Sequence, residues 1–210
     1  MNLNIPYMET DNKLLNDAYR IAAGDIVGNI VYYQNGLLTE EKPCMIAGLD
    51  YNTPWTRDTA INIWNALSIL SPEVSKNTLL AVLEEEEGSI YIGGQYWDSI
   101  IWMIGAREYC RFHKDDNFYR LAFKAGRNSV HRLEEDEFDE EDGLFRGPAV
   151  YGDGIAAYPD KYSKCPNQGS GILEWVDYPG NPVYPKGYGI PMKALSTNCV
   201  YSVSYTHLTL

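Results

Sequence analysis

The chain has 210 residues, which is enough for a globular domain with its own core. Of these residues 45% are hydrophobic and 22% charged, a composition unlike that of a mostly disordered protein. Its 29 acidic and 17 basic residues give a formal charge of −12. The sequence contains no cluster of Lys and Arg that could bind along a phosphate backbone, so we expect no nucleic-acid partner. The 17 tyrosines and 5 tryptophans suit stacking surfaces that also need a polar group.

Apolar residues that recur at three- and four-residue steps predict five or six successive helices. The helices are expected over residues 12–33, 56–70, 72–87, 97–106, 115–133 and 190–201. Residues 142–190 are rich in glycine and proline and show no helical pattern, which indicates one long loop. Because no run alternates like a strand, we predict an all-α fold of helical hairpins whose long joints gather on one face.

The remaining features of the sequence bear on the location of the protein in the cell and on its cofactors. The first twenty residues carry charges and no apolar core of a secretory signal, and no stretch reaches the ~20 apolar residues of a membrane span, so we expect a cytoplasmic protein without a membrane partner. The four cysteines lie far apart and the three histidines show no ligand spacing. We therefore expect packed, reduced thiols, no metal and no cofactor; the oligomeric state stays open.

The last residues, VSYTHLTL, resemble one reading frame of a transposase-end adapter used in sequencing libraries. We accordingly expect residues 203–210 to be a non-native tail and the chain to be a fragment. The alternative is an ordinary continuation of the preceding helix.

Two expected helix starts carry residues that suit a polyhydroxylated ligand. In the first, TPWTRD, Trp55 offers a stacking face, and Arg57 and Asp58 can donate to and accept from adjacent sugar hydroxyls. The second, GGQYWDS, repeats this design with Gln95, Trp97 and Asp98. The alternative is local: an Asp58 helix cap paired with Arg57, and an Asp98 that only complements a helix dipole.

The long loop contains the carboxyl groups that fit acid catalysis. Glycines flank Asp153, and Asp177 follows Trp175; aromatic neighbours such as Tyr158 would desolvate a carboxyl and raise its pKa, as a general acid requires near neutral pH. Asp142 and Asp160 fit turn residues better. Asp153 and Asp177 are therefore the candidate catalytic residues, and Tyr158 and Trp175 candidate substrate-binding residues.

These stretches resemble the six-hairpin glycosidases, the (α/α)-toroid enzymes related to glucoamylases, glycogen-debranching glucosidases and processing α-glucosidases. The resemblance covers residues 12–202 and is carried by TPWTRD, GQYWDS, DGLFRGPAVYGDGIAAYPD and GYGIPMKALSTNCVYS. It implies a toroid truncated to roughly its first six helices, so that residues 1–202 form the N-terminal half of the glycosidase domain. It also places Trp55, Arg57 and Asp58 on the innermost sugar.

The same resemblance implies an inverting, exo-acting glycoside hydrolase that removes a terminal sugar from an oligosaccharide or small glycoside. In the processing-glucosidase pattern the acid stands two residues before Tyr-Pro, where this chain has Ala156, so the proton donor stays open between Asp153 and Asp177. The general base belongs to the later half of the family's domain, so we expect the 210 residues alone to be inactive. Alternatives are a sugar epimerase or phosphorylase-like enzyme of the same fold, or a non-catalytic carbohydrate-binding helical protein.

Overall fold

The structure, a computed structural model, describes residues 5–94, 98–147 and 193–209. Its helical elements are α1 Lys13–Gly28, α2 Thr56–Asn62, a π-helical turn Ile63–Leu67, α3 Ser68–Leu70, α4 Pro72–Ala81, α5 Asp98–Phe112, α6 Asp116–Glu137 and α7 Leu195–Thr209. Its strands are β1 Ile30–Tyr33, β2 Lys42–Met45, β3 Leu83–Glu86, β4 Ser89–Ile92, β5 Phe138–Asp139 and β6 Leu144–Phe145. None of the described helices is both long and apolar enough to cross a bilayer.

The all-α prediction, and with it the truncated (α/α) toroid, is wrong. The described part of the chain is 59% helical and 14% strand, and its six strands form three separate antiparallel hairpins, β1–β2, β3–β4 and β5–β6. The acidic run at 84–87 was expected above to end the helix over 72–87. Its first three residues instead belong to β3. Glu87 and Gly88 form the turn that follows, with positive φ of 49° and 78°. Such a turn matches the twist of the two strands and closes them into a hairpin.

Several predicted helix boundaries are confirmed and others are shifted. The helix over 56–70 is continuous from α2 through the π-helical turn to α3, and α4 begins with Pro72 at its first position as predicted. The first helix ends at Gly28 and not at 33, because the β-branched and aromatic run IVYY pairs as β1 with β2. Helix α7 begins at Leu195, later than expected, and continues to Thr209. That residues 203–210 are non-native stays a prediction.

The core is formed where α5 crosses α2 and packs against α4 and α6. Its largest fully buried side chains include Trp102, Phe118, Ile63, Leu67 and Leu79. Trp102 packs beside Phe118, with ring centroids 6.4 Å apart, and its Nε1–H donates to the Leu79 carbonyl. These contacts fix α5 relative to α4 and α6, and the close approach of Gly105 to Ala60 fixes it relative to α2. The ends of α2, α4 and α5 form the site described below.

Asp115 combines a helix cap with an ion pair at the start of α6. Its carboxylate accepts from the Phe118 backbone N–H at 3.0 Å and from Lys76 Nζ at 2.6 Å. The Lys76 hydrogen bond and then the Phe118 N–H lower the pKa of Asp115. The stability that Asp115 adds is therefore fully present above the ordinary aspartate pKa of about 3.9 and is lost as the pH falls through the lowered value.

We expect Asp115→Ala to lower the free energy of unfolding by about 1–2 kcal/mol at pH 7. In urea titrations the difference from wild type should shrink below about pH 4. Asp116→Ala, in the exposed first turn of the same helix, is the control and should change stability by less than about 0.5 kcal/mol. A difference for Asp115→Ala that is the same at pH 3 and pH 7 would contradict this role.

The β5–β6 hairpin is fastened to the start of α7. Lys193 Nζ bridges the Asp139 and Asp142 carboxylates at 2.7 and 2.5 Å. The Asn198 side-chain amide pairs with Phe145 as a strand would, accepting from its N–H at 2.8 Å and donating to its carbonyl at 3.0 Å. A parallel bridge between Gly147 and Lys193 places these two residues side by side. Residues 147 and 193, which bound the segment outside the described residues, therefore lie next to each other.

Candidate functional site

A pocket of about 230 Å³ lies between the N-terminal ends of α2 and α5, next to the α4–β3 junction. The described residues that line it are Asn35, Thr53, Pro54, Trp55, Thr56, Ala81, Val82, Leu83, Glu84, Gly93, Gly94 and Asp98. It is smaller than the ~300–1,000 Å³ typical of sites for drug-sized ligands. The pocket therefore suits one small polar ligand, or one terminal unit of a longer ligand.

A buried hydrogen bond joins the two helix starts that form the pocket. The Thr56 hydroxyl, at the first position of α2, donates to the Gly93 carbonyl just after β4 at 2.8 Å. Residue 55 is extended (φ −103°, ψ 137°), so the chain turns into α2 only after Trp55. The structure thus brings together Thr56 of TPWTRD and Gly93 of GGQYWDS, two stretches that the sequence analysis singled out separately.

Trp55 forms the aromatic wall of the pocket. Its side chain is 40% exposed, and Tyr51 packs against the indole edge-on, with ring centroids 6.2 Å apart. The Tyr51 contact restricts the indole while leaving part of its surface accessible. A partly exposed indole in a pocket is a suitable stacking partner for the C–H face of a sugar ring.

Asp98 places a buried carboxylate in the same pocket. It is the first residue of α5 and is only 4% exposed. The helix dipole stabilises negative charge at this end of α5. A carboxylate at such a position can accept strong hydrogen bonds from hydroxyl groups of a ligand.

Because Gly94 has no side chain, the Asp98 carboxylate can occupy the space beside it. Its φ is +109°, and a Cβ built on it would lie 2.6 Å from Asp98 Oδ2 and 2.9 Å from Thr56 Oγ1. A side chain here would be strained and would displace the carboxylate. This glycine is thus required both by the backbone and by the pocket.

We expect Gly94→Ala to lower the free energy of unfolding by about 2–3 kcal/mol, since backbone strain adds to the collision. Gly143→Ala is the matched control, because Gly143 also has a positive φ of +71° but a Cβ there would meet nothing within 4 Å. That control should cost only the strain, about 1–2 kcal/mol. Equal losses in urea unfolding would show that the contact with Asp98 has no effect.

The other residues proposed from sequence are placed as follows. Arg57 and Asp58 lie in the first turn of α2 as a half-buried pair, Nε to Oδ2 4.0 Å, and are not among the described residues that line the pocket. The local alternative considered above assumed this ion pair; it also assumed that Asp58 caps the helix, whereas the N-cap residue of α2 is Trp55. Six further candidates lie outside the described residues: Gln95, Trp97, Asp153, Tyr158, Trp175 and Asp177.

The sequence analysis missed the second carboxylate that lines the pocket, Glu84. Glu84 was expected at the end of the helix over 72–87, but it is an exposed residue of β3 whose carboxylate lies against Gly93. The signal that could have revealed this is the hairpin itself: a run containing a turn glycine, Gly88, followed by the apolar and aromatic SIYI. A carboxylate on that hairpin then falls next to the β4–α5 joint.

In the part of the chain that is described, nothing supports a metal centre, or thiolate chemistry at Cys44 and Cys110. No group of three or more His, Cys, Asp and Glu side chains there could hold a metal ion. Burial raises the pKa of the Cys44 thiol to about 12 and that of Cys110 to about 11, so neither forms a thiolate readily at neutral pH. His113 instead makes a hydrogen bond to the Ser68 carbonyl, away from the pocket.

Comparisons with protein-family models, with curated proteins and with solved structures found no match to this chain.

Proposed function

We propose that this chain carries the sugar-binding part of a glycoside hydrolase that is exo-acting, inverting and specific for a terminal sugar. The observation that supports the proposal best is the pocket that Trp55 and the buried Asp98 carboxylate both line. An aromatic face binds the apolar side of a sugar ring and a carboxylate accepts from its hydroxyls. The small volume of the pocket favours a single terminal residue over an internal stretch of polymer.

The proposed reaction needs two carboxyl groups on opposite sides of the glycosidic bond. In an inverting enzyme one protonates the leaving oxygen while the other activates a water about 6.5–9.5 Å away. Asp153 is our first candidate for the acid and Asp177 the second; both belong to the segment whose neighbours Gly147 and Lys193 lie side by side. The general base is not assigned to any residue.

The test uses the complete gene product and a panel of aryl glycosides and oligosaccharides, with the anomer of the released sugar followed by NMR. We expect release of terminal sugar with inversion, and loss of hydrolysis with retained sugar binding in Asp153→Asn or Asp177→Asn. We expect the 210-residue chain alone to bind sugar without turnover. No hydrolysis by the complete gene product on any member of the panel would contradict the proposal.

A non-catalytic carbohydrate-binding protein is the second candidate. It is favoured by the fact that the described pocket supplies binding groups, Trp55 and Asp98, without needing either candidate acid. Sugar binding by the complete gene product, with no hydrolysis and no effect of Asp153→Asn or Asp177→Asn, would support this second function.

A further inference from the structure

One wall of the pocket, the Trp55 indole, extends to the surface of the protein. Trp55 lines the pocket and is still 40% exposed. The pocket volume of about 230 Å³ is below the range typical of drug-sized ligands, the size class to which a disaccharide belongs. If the pocket holds the terminal unit of an oligosaccharide, the second unit therefore has to lie outside it.

Tyr51 continues the aromatic wall beside the pocket. Its ring packs edge-on against the Trp55 indole, with the ring centroids 6.2 Å apart and the planes at 79°. Tyr51 remains 50% exposed and is not among the described residues that line the pocket. The two rings thus form an aromatic corner, with one ring in the pocket wall and the other next to it.

The turn that carries Tyr51 is held in place on both sides. The Tyr51 backbone N–H donates to the Gly48 carbonyl at 2.9 Å. Two residues later, the Thr53 hydroxyl shares a hydrogen bond of 2.7 Å with the Tyr33 hydroxyl, and Thr53 itself lines the pocket. A ring that is positioned before the ligand arrives loses little conformational freedom on binding.

We propose that Tyr51 is a specificity-determining residue that forms a second subsite, where it stacks on the second unit of an oligosaccharide whose terminal unit occupies the pocket. The inference rests on the proposed function, since it assumes that the pocket binds a terminal sugar. The tyrosine ring supplies a stacking face and its hydroxyl a hydrogen-bonding group. Asp50 and Asn52, which flank Tyr51 in the turn, are exposed and polar. The ligand class that follows is an oligosaccharide of two or more units, in preference to a small glycoside.

The test compares disaccharides with the methyl glycosides of their terminal units, by NMR titration of the 210-residue chain. The pairs are maltose with methyl α-glucoside, cellobiose with methyl β-glucoside, and lactose with methyl β-galactoside. We expect at least one disaccharide to bind about three- to tenfold more tightly than its methyl glycoside, as one added aromatic contact contributes. In Tyr51→Ala this ratio should fall to about one, whereas Tyr51→Phe, which keeps the ring, should retain most of it.

Tyr119→Ala is the matched control. Tyr119 is 47% exposed, close to the value for Tyr51, but it lies on α6 and does not line this pocket. It should leave the ratio unchanged. The ratio also separates a second subsite from an effect on Trp55 alone, because a less restricted indole would weaken the binding of both members of a pair equally. Thermal unfolding verifies that each variant keeps its fold.

A ratio of about one for every pair in the wild type, or a ratio that Tyr51→Ala leaves unchanged, would overturn the inference. A phenyl glycoside that binds more tightly than the methyl glycoside, when no disaccharide does, would also overturn it, because Tyr51 would then bind an apolar aglycone.

The two proposals fail in different ways. Hydrolysis by the complete gene product, without any gain in affinity for disaccharides, contradicts the second subsite and leaves the glycosidase intact. A preference for disaccharides that depends on Tyr51, without any hydrolysis, supports the inference and contradicts the glycosidase.

Discussion

Replacing Gly105 by alanine will lower the free energy of unfolding by about 3 kcal/mol. Gly105 lies in α5 where this helix crosses α2, and a Cβ there would lie 2.8 Å from Ala60 Cα and 3.0 Å from the Ala60 carbonyl oxygen. These are backbone atoms, so no side-chain rotation relieves the overlap, and the two helices must move apart. Urea unfolding of wild type and variant, with equal slopes verified, gives the difference directly.

Gly24→Ala provides a control of opposite sign. Gly24 is inside α1, and a Cβ on it would meet nothing within 4 Å. Alanine there should raise the free energy of unfolding by about 0.5–1 kcal/mol, because it lowers the conformational entropy of the unfolded chain and favours helix. A Gly105→Ala variant as stable as wild type, or more stable, would show that the close crossing of α2 and α5 is not a determinant of this fold.

The second large effect concerns Asp98 and ligand binding. We expect Asp98→Asn to weaken binding of a neutral monosaccharide about 30-fold, because charge-assisted hydrogen bonds contribute about 1.5–3 kcal/mol each. Isothermal titration calorimetry or NMR titration of the 210-residue chain measures the change. Asp98 lies at the N-terminus of α5 and lines the pocket. The substitution should therefore weaken the affinity of the site and leave the number of binding sites unchanged.

The matched control for this variant is Asp116→Asn. Asp116 is the first residue of α6, as Asp98 is of α5, but it is exposed and does not line the pocket. It should leave affinity unchanged within about twofold, since it shares only the helix-dipole contribution. Equal affinity losses in the two variants, or none in Asp98→Asn, would assign Asp98 to helix stability alone.

The helices could be predicted from sequence where an apolar period coincided with a start signal. Pro72 after Ser71 marked the start of α4. The recurrence of apolar residues with a period of 3.6 indicated α2 and α6. The three hairpins were missed, because their strands are two to four residues long and give few alternations; only β3–β4 offered a further signal, the turn glycine Gly88 before SIYI. The all-α prediction was wrong for this reason, and Glu84 was placed on the wrong element with it.

The candidate site was predictable only in part. Residue types at the helix starts indicated Trp55 and Asp98, and the structure places both on one pocket. The contact between the starts depends on the Thr56 hydrogen bond to Gly93, a pairing across 37 residues that no local pattern encodes. Only the crossing of α2 and α5 brings these groups together.

The most direct test of this pocket as a sugar site is NMR of the chain labelled with ¹⁵N-tryptophan, titrated with glucose, galactose and mannose. Trp55 and Trp64 are similarly exposed, at 40% and 46%, but of the two only Trp55 lines the pocket. We predict a saturable shift of the Trp55 indole signal with at least one sugar and no shift of the Trp64 signal. A Trp55 signal unmoved by all three sugars, or equal shifts of both signals, would contradict the account.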